Sequence, residues 1–187
     1  HLTQFVLGIF MKALFVLLAG LFMVASAQAE TVAGYKFSDY PAQIYKGKKA
    51  PLQLGDWRSF RTRLKWAHDD GEIAFAGSYM VSIWGCGTGC ISGAMIDKKT
   101  GKVYGLPISE GSPYDNCYSS DEDNEDKRLT FYPDSRLFIT RDCEQEEISD
   151  TKAKQKITYA VNVWNEKSKT FKLIKEVKET KTVNTDF

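Results

Sequence analysis

The stretch Phe75-Ala-Gly-Ser-Tyr-Met-Val-Ser-Ile-Trp-Gly-Cys-Gly-Thr-Gly-Cys90 decides the fold. From Ile73 the apolar period is two. Ile73, Phe75, Gly77, Tyr79, Val81 and Ile83 fall on one side, and Ala74, Ala76, Ser78, Met80, Ser82 and Trp84 on the other. Alternation of this kind is a strand signal. The second set is small near its start, which invites close packing by a neighbouring helix. Gly77 marks a bulge or a close backbone approach. After Trp84 the alternation yields to Cys86-Gly-Thr-Gly-Cys90, a glycine-rich corner.

Reading outward, the segment before this strand supplies the helix. Over Asp56–Asp70, Trp57, Phe60, Leu64 and Ala67 recur at helical spacing, with Asp56 as N-cap and Gly71 just past the end. Arg58, Arg61, Arg63 and Lys65 cover the remaining surface, as a solvated face or an anion-binding one. Glu30–Leu54 is an aperiodic lead-in with a basic patch, Lys46-Gly-Lys-Lys49, and room for one short strand near Gln43–Tyr45.

The segments after the corner read as hairpins. Ile91–Ile96 and Lys102–Leu106 flank the turn Asp97-Lys-Lys-Thr-Gly101. Leu129–Phe131 and Leu137–Thr140 flank Pro133-Asp-Ser135, and Ile157–Trp164 and Thr170–Val177 flank Asn165–Lys169. The last ten residues are polar and read as a frayed end. The expectation is a mainly β (α+β) domain, an antiparallel sheet of six to seven strands in hairpin order with one packed amphipathic helix, held by disulfides. The hairpin phrases look like propeller blades, but the chain is too short for four blades of about 40–45 residues.

The ends and the charge bound location and partner. Met11-Lys12, the apolar run Ala13–Ala25 and Ser26-Ala-Gln-Ala29 have the layout of a secretory leader, cleaved after Ala29 or Ala27. As a membrane span the apolar stretch, counted from Phe5 to reach about 20 residues, would hold Lys12 in the bilayer, at a cost of about 2.5–3.5 kcal/mol. Residues 1–10 read as an upstream extension, 11–29 as the leader and 30–187 as a single domain. No cysteine stands at the cleavage point to accept a lipid. Removing the leader removes one lysine and leaves as many Lys and Arg as the 24 Asp and Glu. That balance excludes the basic excess of a nucleic-acid binder, and the domain has no stable membrane anchor after cleavage. A periplasmic or secreted location follows. All four cysteines, Cys86, Cys90, Cys117 and Cys143, lie in the exported part and read as two disulfides. Four cysteines allow three pairings.

The chemistry-bearing candidates are few. A thiolate nucleophile needs a base, and the exported part holds only His68, placed near the helix C-terminus where the dipole favours it. The spacing Cys86-x3-Cys90 fits one zinc knuckle, but Cys117 and Cys143 do not form a second. A thioredoxin-type site opens a helix with two residues between its cysteines; here three intervene and the flanks are strands. Asp121, Asp123 and Glu125 match the first calcium ligands of an EF-hand loop, but Asp126 replaces its glycine and Tyr132 its glutamate. They remain a candidate for another kind of calcium loop. Trp84, Gly85, Gly87, Thr88 and Gly89 form a candidate interaction loop whose glycines expose backbone N–H groups to an anion or permit a tight turn. No cofactor is called for.

Phe60-Arg-Thr-Arg-Leu64, Phe75-Ala-Gly-x-Tyr79, Trp84-Gly-Cys-Gly-Thr-x-Cys90 and Asp134-Ser-Arg-Leu-Phe138 occur in this order, followed by Tyr159–Trp164. Over Tyr45 to Leu173 the chain resembles an uncharacterised family of small exported bacterial proteins carrying the Trp-Gly-Cys-Gly-Thr-x-Cys segment. The resemblance implies export and β-rich character and brings no activity with it. Members with the segment often carry just its two cysteines, which implies Cys86–Cys90 as one bridge and Cys117–Cys143 as the other.

Three functional classes stand. The absence of a triad, metal cluster or phosphate loop favours an exported, non-catalytic binding module, inhibitor- or immunity-like, whose partner is a protein or a small anionic ligand. The second is a cysteine-dependent enzyme, such as a thiol–disulfide exchanger, at Cys86 and Cys90. The third is a calcium-dependent structural protein of the envelope.

Overall fold

The computed structural model describes residues 30–108, 117–120 and 128–186. These residues form a mainly β structure with antiparallel sheets of two, three and four strands, one α-helix and two disulfides. The expected six to seven strands in one sheet are therefore divided. Strands β3 (Tyr79–Gly87), β4 (Cys90–Asp97) and β5 (Val103–Gly105) make one meander, and β6 (Leu129–Phe131), β7 (Leu137–Ser149), β8 (Lys152–Asn165) and β9 (Thr170–Asn184) another. The lead-in holds a further small hairpin, β1 (Thr31–Val32) and β2 (Tyr35–Lys36). Hairpin order was legible from the turns, but turn signals do not say where one sheet stops and the next begins.

The division has a packing reason. The main core lies between the two large sheets, built from Phe75, Tyr79 and Met95 on one side and Phe138 and Trp164 on the other. Period two puts the neighbours of these residues on opposite faces. Ala94 and Ile96, with Met80 and Trp84, face the helix α1 (Arg61–Asp70) and its buried Leu64. Leu137, Ile139 and Val161 face outward, where Phe37 and the β1–β2 arm cover them. Farther along that outer face, Cys143, Ala153, Gln155 and Ile157 are buried. The segment Cys117–Ser120 attaches to the same face: Cys117 is bridged to Cys143, and Gln155 donates to the Tyr118 carbonyl at 3.2 Å.

The opening stretch is corrected in one respect. Alternation does not run unbroken from Ile73, because Ala76 (φ 44°) and Gly77 (φ 78°) turn the chain back and Phe75 bridges to Tyr79. The regular strand begins at Tyr79. The turn joins three parts of the molecule. Ala76 N–H donates to Ser135 O at 3.0 Å, Gly77 N–H to Pro133 O at 2.7 Å, and Tyr45 N–H to Gly77 O at 2.7 Å. A side chain at 77 would run into the Gln43 carbonyl, so glycine is required for both conformation and space.

The helical segment starts differently from expectation. Gly55–Phe60 is a 3₁₀ stretch kinked at Trp57, so Asp56 lies inside it and does not cap α1. Trp57 and Phe60 leave the α path to pack toward Trp84, with Phe60 and Trp84 stacked at 4.8 Å. The helix ends at Gly71 in an extended conformation, its N–H on Ala67 O at 3.1 Å. Lys49, from the basic patch, donates to the His68 and Asp69 carbonyls and satisfies acceptors that every helix C-terminus leaves open.

Two further expectations fail. Gln43–Tyr45 is not a strand: Tyr45 N–H goes to Gly77 O, and those of Gln43 and Ile44 have no main-chain acceptor among the described residues. The C-terminal residues are not frayed, because β9 continues to Asn184, paired along β8 to Lys152 with one bulge opposite Val161 and Asn162. β9 is an edge strand, rich in lysine at 172, 175, 178 and 181. Among the described residues no helix is long and apolar enough to cross a membrane.

Gly77→Ala should cost about 2–3 kcal/mol in urea denaturation, adding overpacking against Gln43 to a left-handed alanine. Gly34→Ala, at φ 82° in open space, should cost only about 1 kcal/mol. Equal losses would remove the close approach as the reason for glycine at 77.

Candidate functional site

Two turns of similar chemistry meet at one end of the sheets. In the β4–β5 turn, Asp97 is 1 % exposed and its carboxylate accepts from Lys99 N–H at 3.0 Å and from Thr100 Oγ1 at 3.1 Å. In the β8–β9 turn, Asn165 Oδ1 accepts from the N–H groups of Lys167 and Ser168 at 3.0 and 3.1 Å. Lys169 closes that turn at φ 55°, a conformation that places its amine back over the first turn.

The side chains of the two turns then interlock. Glu166 Oε2 accepts from Tyr79 Oη at 2.6 Å and from Trp164 Nε1 at 2.8 Å. Lys169 Nζ reaches Glu166 Oε1 at 2.5 Å, Tyr79 Oη at 2.8 Å and Asp97 Oδ2 at 3.5 Å. Lys99 answers from the first turn, 3.9 Å from Glu166 Oε1. The Lys169 amine also lies 5.4 Å from the Tyr79 ring centre and 5.7 Å from that of Tyr104, within cation–π range. Burial opposes charge on Glu166, but donation from Lys169, Tyr79 and Trp164 outweighs it and holds the carboxyl below the usual glutamate range. Burial likewise opposes charge on Lys169, and Glu166 and Asp97 outweigh it and raise the amine. Burial, then Glu166, pushes the Tyr79 phenol up, so it stays a donor.

Glu166 forms one edge of an open cleft of about 730 Å³. The continuous segment Pro41–Lys46 makes one wall, and Ala76, Lys99 and Arg136 complete it with Glu166. Three cations therefore converge on the cleft from three separate segments. Arg136 is braced by donating to the Pro41 carbonyl at 3.3 Å and the Trp164 carbonyl at 3.4 Å. Lys99 lies 5.8 Å from the Tyr45 ring centre. Lys46 is exposed, with no side-chain partner among the described residues. The single acid is neutralised by Lys169, so the cleft presents net positive charge.

The residues singled out in the sequence lie elsewhere. Cys86 and Cys90 are bridged at the tip of the β3–β4 hairpin, with Cα atoms 5.1 Å apart, and Cys117 is bridged to Cys143 at 5.8 Å. All four sulfurs are thus engaged. His68 has no thiol to activate: its Nε2 lies 2.9 Å from Ala50 O and its Nδ1 3.3 Å from Asp69. In the candidate interaction loop, Gly85, Gly87, Thr88 and Gly89 are exposed, with positive φ at Gly87 and Gly89. Trp84 does not belong with them; at 5 % exposure it is part of the helix-side core. Asp121, Asp123 and Glu125 lie outside the described residues. The sequence reading missed Tyr79, Glu166, Lys169, Lys99 and Arg136 as a group. The available signal was the paired turn phrases Asp97-Lys-Lys-Thr-Gly101 and Asn165-Glu-Lys-Ser-Lys169, each an Asx-type turn carrying a lysine. Compared with family models, curated proteins and solved structures, the chain gives no match.

Glu166→Gln should destabilise the protein by about 1–2 kcal/mol at neutral pH, the low end for a charged hydrogen bond because Glu166 is partly exposed. A depressed carboxyl contributes stability that is complete above the ordinary glutamate range and is lost as pH falls through the folded value. Denaturation across an acid pH series should therefore show the variant converging on the wild type; a constant gap would reject the charge as the source. For the bridges, mild reduction with timed alkylation and mass spectrometry should open Cys86–Cys90 first. Cys86 is exposed, whereas Cys143 is 0 % exposed, and exchange depends on access.

Proposed function

We propose that this chain is an exported, non-catalytic binding module that holds an anionic partner in the cleft between Pro41–Lys46, Lys99 and Arg136. The observation that carries the reading is the convergence of three cations on a concave site whose one carboxylate is already neutralised. Concave sites with a few placed charges are the usual form of ligand sites, and like-signed walls concentrate counter-charged partners. An inhibitor- or immunity-like role, in which the module covers a partner protein, is the concrete form of this reading. Two disulfides accord with an oxidising compartment, periplasmic or extracellular.

The test is thermal unfolding of the oxidised protein at low ionic strength with polyphosphate, polyglutamate and polylysine. The two polyanions should raise Tm, polylysine should not, and the rise should vanish in the Lys46→Glu/Lys99→Glu variant. No rise with either polyanion, or a rise that survives the double substitution, rejects the cleft as the binding site.

A further inference from the structure

Resting on the cleft as an anion site, we infer that its partner is an extended acidic segment of a polypeptide, paired to the main chain of Gln43–Lys46. Three observations select this over a small anion. First, the cations are distributed. Lys46, Lys99 and Arg136 come from the lead-in, the β4–β5 turn and the residue just before β7, along a cleft of about 730 Å³ walled by six consecutive residues. A single phosphate or sulfate is small beside that space, whereas a chain bearing several carboxylates meets all three.

Second, the wall offers main-chain groups. Ala42 N–H donates inward to Asp134 O at 2.7 Å and Tyr45 N–H to Gly77 O at 2.7 Å, which pins the segment at two points. The N–H groups of Gln43, Ile44 and Lys46 have no main-chain acceptor among the described residues. Pro41 bridges to Ser135, so the segment continues from a β-type contact. Unpaired backbone held in place by its neighbours is what an added strand uses for affinity.

Third, the wall is amphipathic. Ile44 is 37 % exposed and Tyr45 presents a ring beside Lys99. A bound strand shows its side chains alternately to the two faces, so one that alternates acidic and apolar residues matches the cations and Ile44 together. Gly77 fixes this arrangement, because its carbonyl accepts from Tyr45 N–H and its lack of a side chain leaves room for the Gln43 carbonyl.

Fluorescence anisotropy tests the inference, using the full chain with its disulfides intact and a labelled peptide of alternating glutamate and leucine. The expected result is salt-sensitive binding, weakened by at least about tenfold in Lys46→Glu and in Lys99→Gln, both on exposed side chains. The same peptide N-methylated at alternate residues, along the edge turned to the wall, should also lose at least about tenfold, because the methyl groups keep the carbonyls of that edge from the N–H groups of Gln43, Ile44 and Lys46. Tm of each variant, measured alongside, separates lost binding from lost folding. Equal binding of the N-methylated peptide overturns the main-chain pairing. Displacement by inorganic phosphate well beyond that by chloride at equal ionic strength makes the cleft a small-anion site, and overturns this inference while leaving the anion reading intact. Equal binding of a lysine–leucine peptide, or no binding of the acidic peptide together with no polyanion effect on Tm, overturns both.

Discussion

The fold depends on the contact between Tyr79, Glu166, Lys169 and Asp97. Each large sheet has its own meander of hydrogen bonds, and nothing in those ladders fixes one sheet against the other. The apolar core between them supplies attraction without direction. Direction comes from the interlocked turns, where Lys169 of one reaches Asp97 of the other and Lys99 returns to Glu166, together with the main-chain bonds of Ala76 and Gly77 to Ser135 and Pro133. Asp97 is buried, so its charge is tolerable only because Lys169, Lys99 N–H and Thr100 satisfy it. Lys169 in turn adopts a left-handed conformation, at a cost of roughly 1–2 kcal/mol, to reach this position. The ion pair and hydrogen bonds of this one arrangement offset both costs, the local strain and the buried charge. The cleft lies at the border of that arrangement, and Glu166 belongs to both.

The outer face of the longer sheet shows a second constraint. A strand pair as long as β7–β8 extends past the three-stranded sheet and needs cover on the outside. The lead-in arm supplies it at one end through Phe37, and the Cys117 segment supplies it at the other. The second attachment is covalent, with Cys117 bridged to the buried Cys143. In the chain-entropy account, a bridge across a separation of 26 contributes about 3–4 kcal/mol. The bridge at a separation of 4 adds less in the same account, because closing so short a loop removes little freedom from the unfolded chain.

Local patterns were legible in the sequence where one physical signal dominated. The turns at Asp97–Gly101 and Asn165–Lys169 declared themselves through Asx chemistry, and β4 and β8 through alternation. Leu64 and Ala67 gave the helix. What failed was long-range. The Phe75–Tyr79 reversal is hidden because Ala76 is an unremarkable residue in an unusual conformation, held by its own bond to Ser135 and that of Gly77 to Pro133. The start of the helix was misread because Phe60 stacks on Trp84 and Trp57 packs against Phe60, off the α path. The cleft was illegible for the same reason. Its three cations stand at 46, 99 and 136, and only the packing of separate segments makes them neighbours.

The second half of the C-terminal strand, past Val177, was hidden by its own composition. β9 is 15 residues long and lies at the edge of its sheet. A free edge of that length is a template on which a second copy could add its own strand. Lysines at 172, 175, 178 and 181, interspersed with Glu176 and Glu179, make such addition costly, because each charge would lose water against another strand. The residues that make β9 resemble a disordered tail in the sequence are therefore those that keep a long, ordered edge from seeding aggregation.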